Sequence, residues 1–420
     1  MRFLSRLQGL LKHCALLLVV ISFTSPGTAA PKPALNNWHT ALLTFQKAGA
    51  LVGEAKYPQA RAELSRATSN LAAPYSTIAG QHLDQLEAAL KLSAKKESAE
   101  QLAALADLCG ELRAYPAALK FLDRLRKLSP EDEGKGVSRA WCLFETDKVK
   151  AAIAEYERKA NAEAVAMWKS YYRKQIELLQ KRATNSVSAA LAIEFVQEHY
   201  LKGYETKPDG FGALAELARV LPATKDPKEQ LSIYQMIIKN LSTLDDDLGT
   251  QAWEDTLLAA FRSDRDACAA VFLDRGLRAF QKKNYPEALA LFRQVCAEYP
   301  DAAAYGDAQY DAGLVLHEQQ KYSEAISEYD KLLLSQLNDS LPEPSSSEDA
   351  KNYHYKAAMR ISECYESQKD YARALDYSVL ARDRYKFVGW CQICLDNVRN
   401  QLAQRIQKLQ GLAKPDASGK

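Results

Sequence analysis

The amino-acid sequence predicts an all-α protein, a solenoid of repeated helix-turn-helix units. A Tyr-x-x-Ala pattern recurs along the chain, and a small residue stands nine positions before five of its copies. No stretch alternates apolar and polar residues in the way that indicates a half-buried β-strand. The stretch KKNYPEALALFRQVCAEYPD, residues 282–301, carries the pattern as Tyr285, Ala288 and Phe292. Other copies begin at Tyr57, Tyr115, Tyr322 and Tyr371, and a weaker copy begins at Val149.

Composition places the chain among soluble folded proteins. Hydrophobic residues make up 47% of its 420 residues and charged residues 26%, with only 15 prolines and 18 glycines. Such a chain can bury a large core and is neither disordered nor fibrous. Lys and Arg number 55 against 53 Asp and Glu. This balance does not predict a nucleic acid or an anionic membrane surface as partner.

The first 29 residues have the pattern of a secretory signal peptide. Arg2, Arg6 and Lys12 precede the apolar run ALLLVVISF, and small residues follow it, which suits cleavage before Ala30. The run has about ten residues, short of the roughly twenty needed to cross a bilayer. An uncleaved anchor is therefore the less favoured alternative. We predict an exported protein, periplasmic or extracellular, with no membrane span after cleavage.

Each copy of the pattern predicts the second helix of a pair. Gly276, Gly313 and Ser362 stand nine residues before their tyrosines, on the preceding helix. A small residue there, and the alanine three residues after the tyrosine, allow the two helices to approach closely. Pro300 follows one second helix and ends it.

The spacing of the copies organises the chain. Tyr115 and Val149 are 34 residues apart, and Tyr285 and Tyr322 are 37 apart. The longer gap before Tyr371 contains LPEPSSSED, which predicts an exposed loop. In the middle of the chain the helical periodicity continues but the motif fades. The predicted segments are a signal peptide at 1–29, an N-terminal helical array at 30–201, an irregular helical connector at 202–265, a C-terminal array at 266–388, a capping helix at 389–410 and a disordered tail at 411–420.

These positions resemble the tetratricopeptide repeat (TPR) family, whose 34-residue unit carries small, aromatic, small and proline residues in this order. The resemblance covers three units over about 270–388, two units over 99–164 and a weaker one over 41–73. It implies a right-handed α-solenoid in which stacked helical pairs form a concave groove, lined by the first helix of each pair. In that family the groove binds extended peptides or a helix of a partner.

The resemblance also implies groove positions 5, 8 and 12 residues before each tyrosine. In the C-terminal units these are Leu273, Leu277, Phe280, Tyr310, Leu314, His317, Met359, Glu363 and Glu366, with Asp311 adding charge, and Trp141 and Phe144 form a second candidate patch upstream. Apolar and aromatic side chains on such a face indicate a protein partner. The alternative is that neighbouring helices cover these side chains.

Motifs for catalysis, metals and cofactors are largely missing. HEQQK at 317–321 has Lys321 where a zinc-protease helix needs its second histidine. Seven cysteines remain after cleavage, an odd number thinly spread, which is not a disulfide framework. We predict no enzyme activity, no metal site and no cofactor.

One arrangement supports an alternative function. GWCQIC, residues 389–394, places Cys391 and Cys394 in a Trp-Cys-x-x-Cys pattern that is similar to thioredoxin-like oxidoreductases, in which a helix N-terminus stabilises the thiolate. The βαβ surroundings of that family are missing. Packing against the last repeat, or a passive disulfide, is the competing interpretation. The alternative function is a thiol redox protein that uses this pair.

The leading hypothesis is a non-catalytic scaffold or adaptor of the cell envelope. It would hold a segment of another envelope or secreted protein in the groove of its TPR-like repeats. A third hypothesis is a structural role, in which the array self-associates or binds glycan.

Overall fold

The computed structural model describes residues 37–92, 98–129, 138–184, 188–201, 209–335, 352–385 and 392–413. These residues form 19 α-helices and no β-strand, with the helices packed in successive neighbouring pairs. This confirms the predicted all-α solenoid. The chain divides after Leu257 into two compact units, called unit 1 and unit 2 below. The predicted signal peptide and the loop at 341–349 lie outside the described residues.

Unit 1 contains the first eleven described helices and most of the twelfth. They are α1 Asn37–Gly53, α2 Tyr57–Asn70, α3 Tyr75–Lys91, α4 Ala99–Glu111, α5 Tyr115–Leu128, α6 Arg139–Glu145, α7 Val149–Ala162, α8 Ala166–Thr184, α9 Ala189–Phe195, α10 Gly210–Val220, α11 Pro227–Thr243 and α12 Asp247–Ala260. A π-helical turn, Val196–Leu201, continues α9, and a 3₁₀ turn, Leu221–Ala223, continues α10. The segment predicted as a connector, 202–265, thus contributes α10, α11 and most of α12 to unit 1.

Unit 2 contains three helical pairs and a terminal helix. The pairs are α13 Arg265–Gln281 with α14 Tyr285–Glu298, α15 Tyr305–Glu318 with α16 Tyr322–Leu333, and α17 Tyr353–Ser367 with α18 Tyr371–Asp383. Each helix contacts the next, and the first helices α13, α15 and α17 also contact one another in sequence. The terminal helix α19, Gln392–Ala413, packs against α18. It begins inside the predicted capping helix and extends three residues beyond it.

The turn inside each helical pair has one recurring geometry. A residue with φ between 55° and 63° stands two positions before the second helix. At Lys283, for example, the N–H donates to the Phe280 carbonyl at 2.8 Å, and the N–H of Asn284 donates to the Ala279 carbonyl at 2.9 Å. This is the Schellman pattern that satisfies the last carbonyls of a helix. The seven turn residues are Ala55, Arg113, Asp147, Asp245, Lys283, Gln320 and Lys369.

The two helices of a pair pack closely because small residues face large rings. A Cβ added to Gly276 would lie 2.5 Å from Cε1 of Phe292, and one added to Gly313 would lie 2.5 Å from Cε1 of Tyr329. Both rings are fully buried. The close approach predicted for these glycines is therefore present in the structure.

In the third pair of unit 2, two serines replace the glycine and the aromatic ring at the helix contact. Ser362 stands where the other pairs have glycine, and Ser378 stands where they have an aromatic ring. Their hydroxyls are hydrogen-bonded at 2.8 Å, and the Ser362 hydroxyl also donates to the Ala374 carbonyl at 2.7 Å. Arg405 of α19 donates to the Ser362 oxygen at 3.1 Å, so the terminal helix is fixed to this pair.

Unit 1 differs because its later helices return to its earlier ones. The Phe211 ring of α10 lies 5.9 Å from that of Phe45 and 5.8 Å from that of Tyr75. The Tyr75 hydroxyl donates to the Asp246 carboxylate at 2.7 Å, a buried contact between residues 171 positions apart. The helices after α8 thus cover part of the array that precedes them.

Candidate functional site

The candidate site is a run of half-buried side chains on the first helices of unit 2, called the unit 2 face below. It consists of Leu273, Leu277, Phe280, Tyr310, Leu314 and His317. The leucines and Phe280 of α13 pack with one side on a buried cluster that includes Ala279, Phe292 and Val295. Their remaining surface is accessible to solvent. The core therefore fixes these side chains while leaving part of each open to a partner.

Aromatic residues of the second helices support both ends of the face. The Phe280 and Tyr285 rings lie 5.8 Å apart, and the His317 and Tyr322 rings lie 5.5 Å apart. In both cases the tyrosine is the residue on which the repeat pattern aligns. In these two pairs the tyrosine that begins the second helix therefore packs against the last groove position of the helix before it.

Tyr310 is held by the next pair. The Arg360 Nε–H of α17 donates to the Tyr310 hydroxyl at 3.0 Å, and the Tyr310 and Tyr329 ring centroids lie 5.7 Å apart. Arg360 also donates to Glu363 at 2.8 Å. Burial opposes the charge of Arg360, but its bonds to Tyr310 and Glu363 outweigh burial and raise the pKa of the guanidinium. The Tyr310 ring is therefore oriented by a permanent cation.

The face becomes charged toward its C-terminal end. Met359 and Glu363 of α17 are half-buried, and Asp311 is half-buried on α15. Glu366 accepts hydrogen bonds from Arg405 and Lys408 of α19 at 2.8 and 2.7 Å, and the bond from Lys408 is the main cause that lowers the pKa of this carboxyl. Glu366 is thus paired with α19, and Met359 is the one apolar groove position on α17.

The second predicted patch has different surroundings. Trp141 of α6 is buried, with 3% of its surface exposed, and the Tyr200 ring meets it edge-on at 5.4 Å. Phe144 is half-buried, with its ring 5.2 Å from that of Phe195. The structure therefore places Trp141 inside unit 1, under α9 and its π-helical turn, as the alternative interpretation from the sequence described.

A buried cluster of charged groups lies beside this patch. Arg113 donates to the Asp209 carboxylate at 2.6 Å and to Glu145 at 3.3 Å. The Tyr200 hydroxyl donates to Glu145 at 2.8 Å, and the Tyr115 hydroxyl donates to Asp209 at 3.1 Å. The Arg113 guanidinium also lies 5.2 Å from the centre of the Tyr115 ring. We call these five residues the Arg113 cluster.

Burial governs the ionisation of this cluster. It raises the pKa of Glu145, although Arg113 and the Tyr200 hydrogen bond oppose that shift. It also raises the pKa of Tyr115 and Tyr200 well above the usual range, so both phenols stay protonated and donate. Burial alone would lower the pKa of Arg113, but the neighbouring Asp209 carboxylate reverses the effect. The cluster thus holds one cation between two acids.

Sequence reasoning missed this cluster. Its residues come from the α4–α5 turn, the first residue of α5, the end of α6, the π-helical turn and the residue before α10. No periodic pattern joins positions so far apart in the chain. The one local signal is Asp209, which precedes a helix and accepts from the Gly212 N–H at 2.8 Å as an N-cap residue does.

Residues 271–302 match the family model of the tetratricopeptide repeat. This match covers most of α13, all of α14 and the turn between them, and with the 19 packed helices of the described residues it supports a TPR-type protein. Repeats of this type suggest a scaffold for protein–protein interaction and are generally non-catalytic. No curated protein matches the chain.

The described cysteines do not have the properties of redox thiols. Cys109, Cys142, Cys268 and Cys364 are buried and Cys296 is half-buried, all as free thiols. Burial raises the pKa of Cys296 and of Cys364 to about 12, whereas reactive thiols have a lowered pKa. Cys391 lies outside the described residues, as does the side chain of Cys394. The alternative redox function has no support from these findings.

Among the residues that the structure describes, no three His, Cys, Asp or Glu side chains are grouped in a way that could hold a metal ion. None of the described helices combines the length and the apolar character needed to cross a bilayer.

Proposed function

We propose that this TPR-type protein is a non-catalytic scaffold or adaptor that binds a segment of another protein along the unit 2 face. The observation that carries the proposal is the continuity of half-buried apolar side chains on two successive first helices, Leu273, Leu277 and Phe280 on α13 and Tyr310 and Leu314 on α15. Large apolar and aromatic side chains that remain accessible in a folded protein mark protein-binding sites.

Rigidity also supports this face as the binding site. Leu277 and Phe280 pack against the buried cluster of the first pair, and Arg360 fixes the Tyr310 hydroxyl. Side chains that are already ordered lose little conformational entropy when a partner binds, so more of the contact energy appears as affinity. The signal-peptide pattern supports a location in the periplasm or outside the cell, with envelope or secreted proteins as partners.

Substituting aspartate on the face tests the proposal. We expect the double variant Leu277→Asp with Leu314→Asp to recover at least roughly tenfold less partner in co-purification from the periplasmic or extracellular fraction, followed by mass spectrometry. A buried charge at a central contact costs about 1.4 kcal/mol or more, which corresponds to a tenfold loss of affinity.

Leu334→Asp is the matched control. Leu334 directly follows α16, has 85% of its surface exposed and lies outside the unit 2 face, so this variant should recover the same proteins as the wild type. Circular dichroism would verify that all variants keep their helix content. Equal recovery by the double variant and the control would contradict binding at the face. Absence of the protein from the periplasmic and extracellular fractions would contradict the proposed location.

A further inference from the structure

In unit 1, helix α10 covers a groove position of the repeat register, whereas the groove positions of α13 and α15 in unit 2 remain accessible. Phe45 of α1 stands 12 residues before Tyr57, which makes it a groove position in the repeat register. The Phe211 ring of α10 lies 5.9 Å from the Phe45 ring, and Phe45 is 1% exposed. A helix of the chain itself therefore lies where the repeats of unit 2 leave side chains accessible.

The contacts of α10 are those of a recognised ligand with a polar anchor. Asp209, the N-cap residue, receives hydrogen bonds from Arg113 at 2.6 Å and Tyr115 at 3.1 Å. Phe211 enters between the Phe45 and Tyr75 rings. A Cβ on Gly212 would collide with the Arg113 guanidinium and the Tyr200 ring. The sequence Asp-Gly-Phe-Gly thus supplies an acid, an aromatic ring and the space for Arg113.

The chemistry of this contact differs from that inside the repeats. Helices within a pair meet through residues such as Ala118, Leu122 and Leu125, all of them buried and apolar. The contact of α10 also buries apolar residues, among them Leu214, Leu217 and Val220, but it adds a buried arginine and two carboxylates. Buried ion pairs add little net stability over apolar packing but fix one specific arrangement. Interfaces between domains of one chain, which can move relative to each other, are likewise more polar than permanent interfaces.

We propose that α10 is an internal ligand of unit 1: it occupies, within the same chain, a binding face that recognises a helix beginning Asp-Gly-Phe-Gly, and Arg113 determines the specificity for its aspartate. The ligand class is a short helix with an N-terminal carboxylate and an aromatic residue two positions later. This proposal does not depend on the unit 2 face.

Hydrogen exchange in the full chain tests whether α10 separates from the array. Asp209→Asn keeps the N-cap oxygen but removes the charge that Arg113 binds. We expect amides 211–220 to exchange at least about tenfold faster, while amides 102–125 of α4 and α5 change less than about threefold. Asp264→Asn is the matched control, because Asp264 caps α13 through the Ala267 N–H at 3.0 Å. It should leave exchange in α10 unchanged.

Binding of the helix as a separate molecule tests the ligand assignment. The probe is a fluorescein-labelled peptide of residues 209–223, added to the full chain carrying Asp209→Asn with Phe211→Ala, which weakens the internal contact. We expect it to bind this variant at least about tenfold more tightly than the wild type, whose face is occupied. Peptides carrying Asp209→Asn or Gly212→Ala should bind at least about tenfold more weakly to the same variant.

Three results would overturn the proposal. Equal acceleration of exchange in α10 and in amides 102–125 would make α10 an inseparable part of the core. Unchanged exchange in Asp209→Asn would show that the carboxylate does not hold the helix. A variant with fast exchange in α10 that does not bind the peptide would show that the vacated face is not a ligand site.

Discussion

The same repeat register gives a covered face in unit 1 and an accessible face in unit 2. Phe45 and Trp141 stand at groove positions in unit 1, and both are buried under rings contributed by Phe211 and Tyr200. Leu277, Tyr310 and Leu314 stand at the corresponding positions of unit 2 and remain half-buried. The helices that follow each array cause this difference. The repeat motif therefore defines where a groove position lies, and the rest of the unit decides whether it is available.

The two units also differ in how deeply each places one paired arginine, Arg113 in unit 1 and Arg293 in unit 2. The Arg113 side chain in unit 1 is 8% exposed and pairs with two carboxylates. Arg293 in unit 2 is 49% exposed and pairs with the buried Glu328, which Lys331 also contacts. Removing a partner from a buried pair leaves an uncompensated charge, whereas water replaces a partner at the surface. The same substitution at Arg113 and at Arg293 should therefore lower the free energy of unfolding by different amounts.

The largest expected effect is that of Arg113→Met. It leaves Asp209 and Glu145 without their cation, so the free energy of unfolding should fall by about 3–5 kcal/mol. Arg293→Met should cost about 1 kcal/mol or less, because Glu328 keeps Lys331 and the Gln309 amide, 2.9 Å away. Urea unfolding followed by circular dichroism measures both values. Losses of equal size would contradict the difference in burial on which the comparison depends.

The next effect concerns the close packing of helix pairs in unit 2. Gly313→Ala should lower the free energy of unfolding by about 1–3 kcal/mol, because its Cβ would press into the Tyr329 ring. Gly411→Ala is the matched control. Gly411 lies in α19 with no other atoms near its missing Cβ, so alanine there should stabilise the helix by up to about 1 kcal/mol.

Unit 1 suggests how to restore that packing. Its α4–α5 pair has Ala106 and Leu122 at the two positions that Gly313 and Tyr329 occupy in unit 2, and both are buried. Adding Tyr329→Leu to Gly313→Ala should therefore recover at least half of the lost stability, measured by the same urea unfolding. A double variant less stable than the sum of its single changes would show that ring and glycine are not matched across the helix pair.

The sequence predicted these helix pairs because their information is local. Gly276 and Gly313 stand at a fixed distance from the aromatic residues they face, since a helix pair with a constant turn repeats the same geometry. Ala288, Ala325 and Ala374 are likewise fully buried at the predicted contact. The TPR match at 271–302 falls on one of these pairs.

The turn residues show where local information ends. None of the seven turn residues inside the helical pairs is a glycine, although their positive φ favours glycine. Asp245 therefore gave no sign of a turn, and the pair formed by α11 and α12 was not recognised from its sequence. The Schellman hydrogen bonds of Asp245 and Asp246 identify it in the structure, at 3.1 and 3.0 Å.

For the candidate site as well, the sequence predicted what depends on local spacing and not what depends on distant residues. Sequence spacing predicted the positions of the unit 2 face, but it could not distinguish Leu277, which remains accessible, from Trp141, which Tyr200 covers. Tyr200 is 59 residues after Trp141 in the chain, and contacts between such distant residues depend on the whole fold. The Arg113 cluster was missed for this reason.

The smallest expected effect is a difference in pH dependence between the two units. Burial raises the pKa of Glu145 above its ordinary value of 4.5. The contribution of this carboxyl to the free energy of unfolding is therefore fully present below pH 4.5 and is lost as pH rises through the raised pKa. For Glu328, burial acts in the same direction, but bonds from Lys331, Arg293 and Gln309 outweigh it and lower the pKa. Its contribution is present above pH 4.5 and is lost as pH falls through the lowered pKa.

Glutamine variants isolate each carboxyl, because all other titrating groups cancel between variant and wild type. As pH rises from about 3 to about 7, the stability of the wild type relative to Glu145→Gln should decrease, and its stability relative to Glu328→Gln should increase. Urea unfolding at a series of pH values measures both differences. Slopes of the same sign would mean that burial does not dominate at Glu145, where one arginine is shared between two acids, or that the three donors do not dominate at Glu328. Slopes of opposite sign against pH would show that the groups around each buried carboxyl cause this difference between the units.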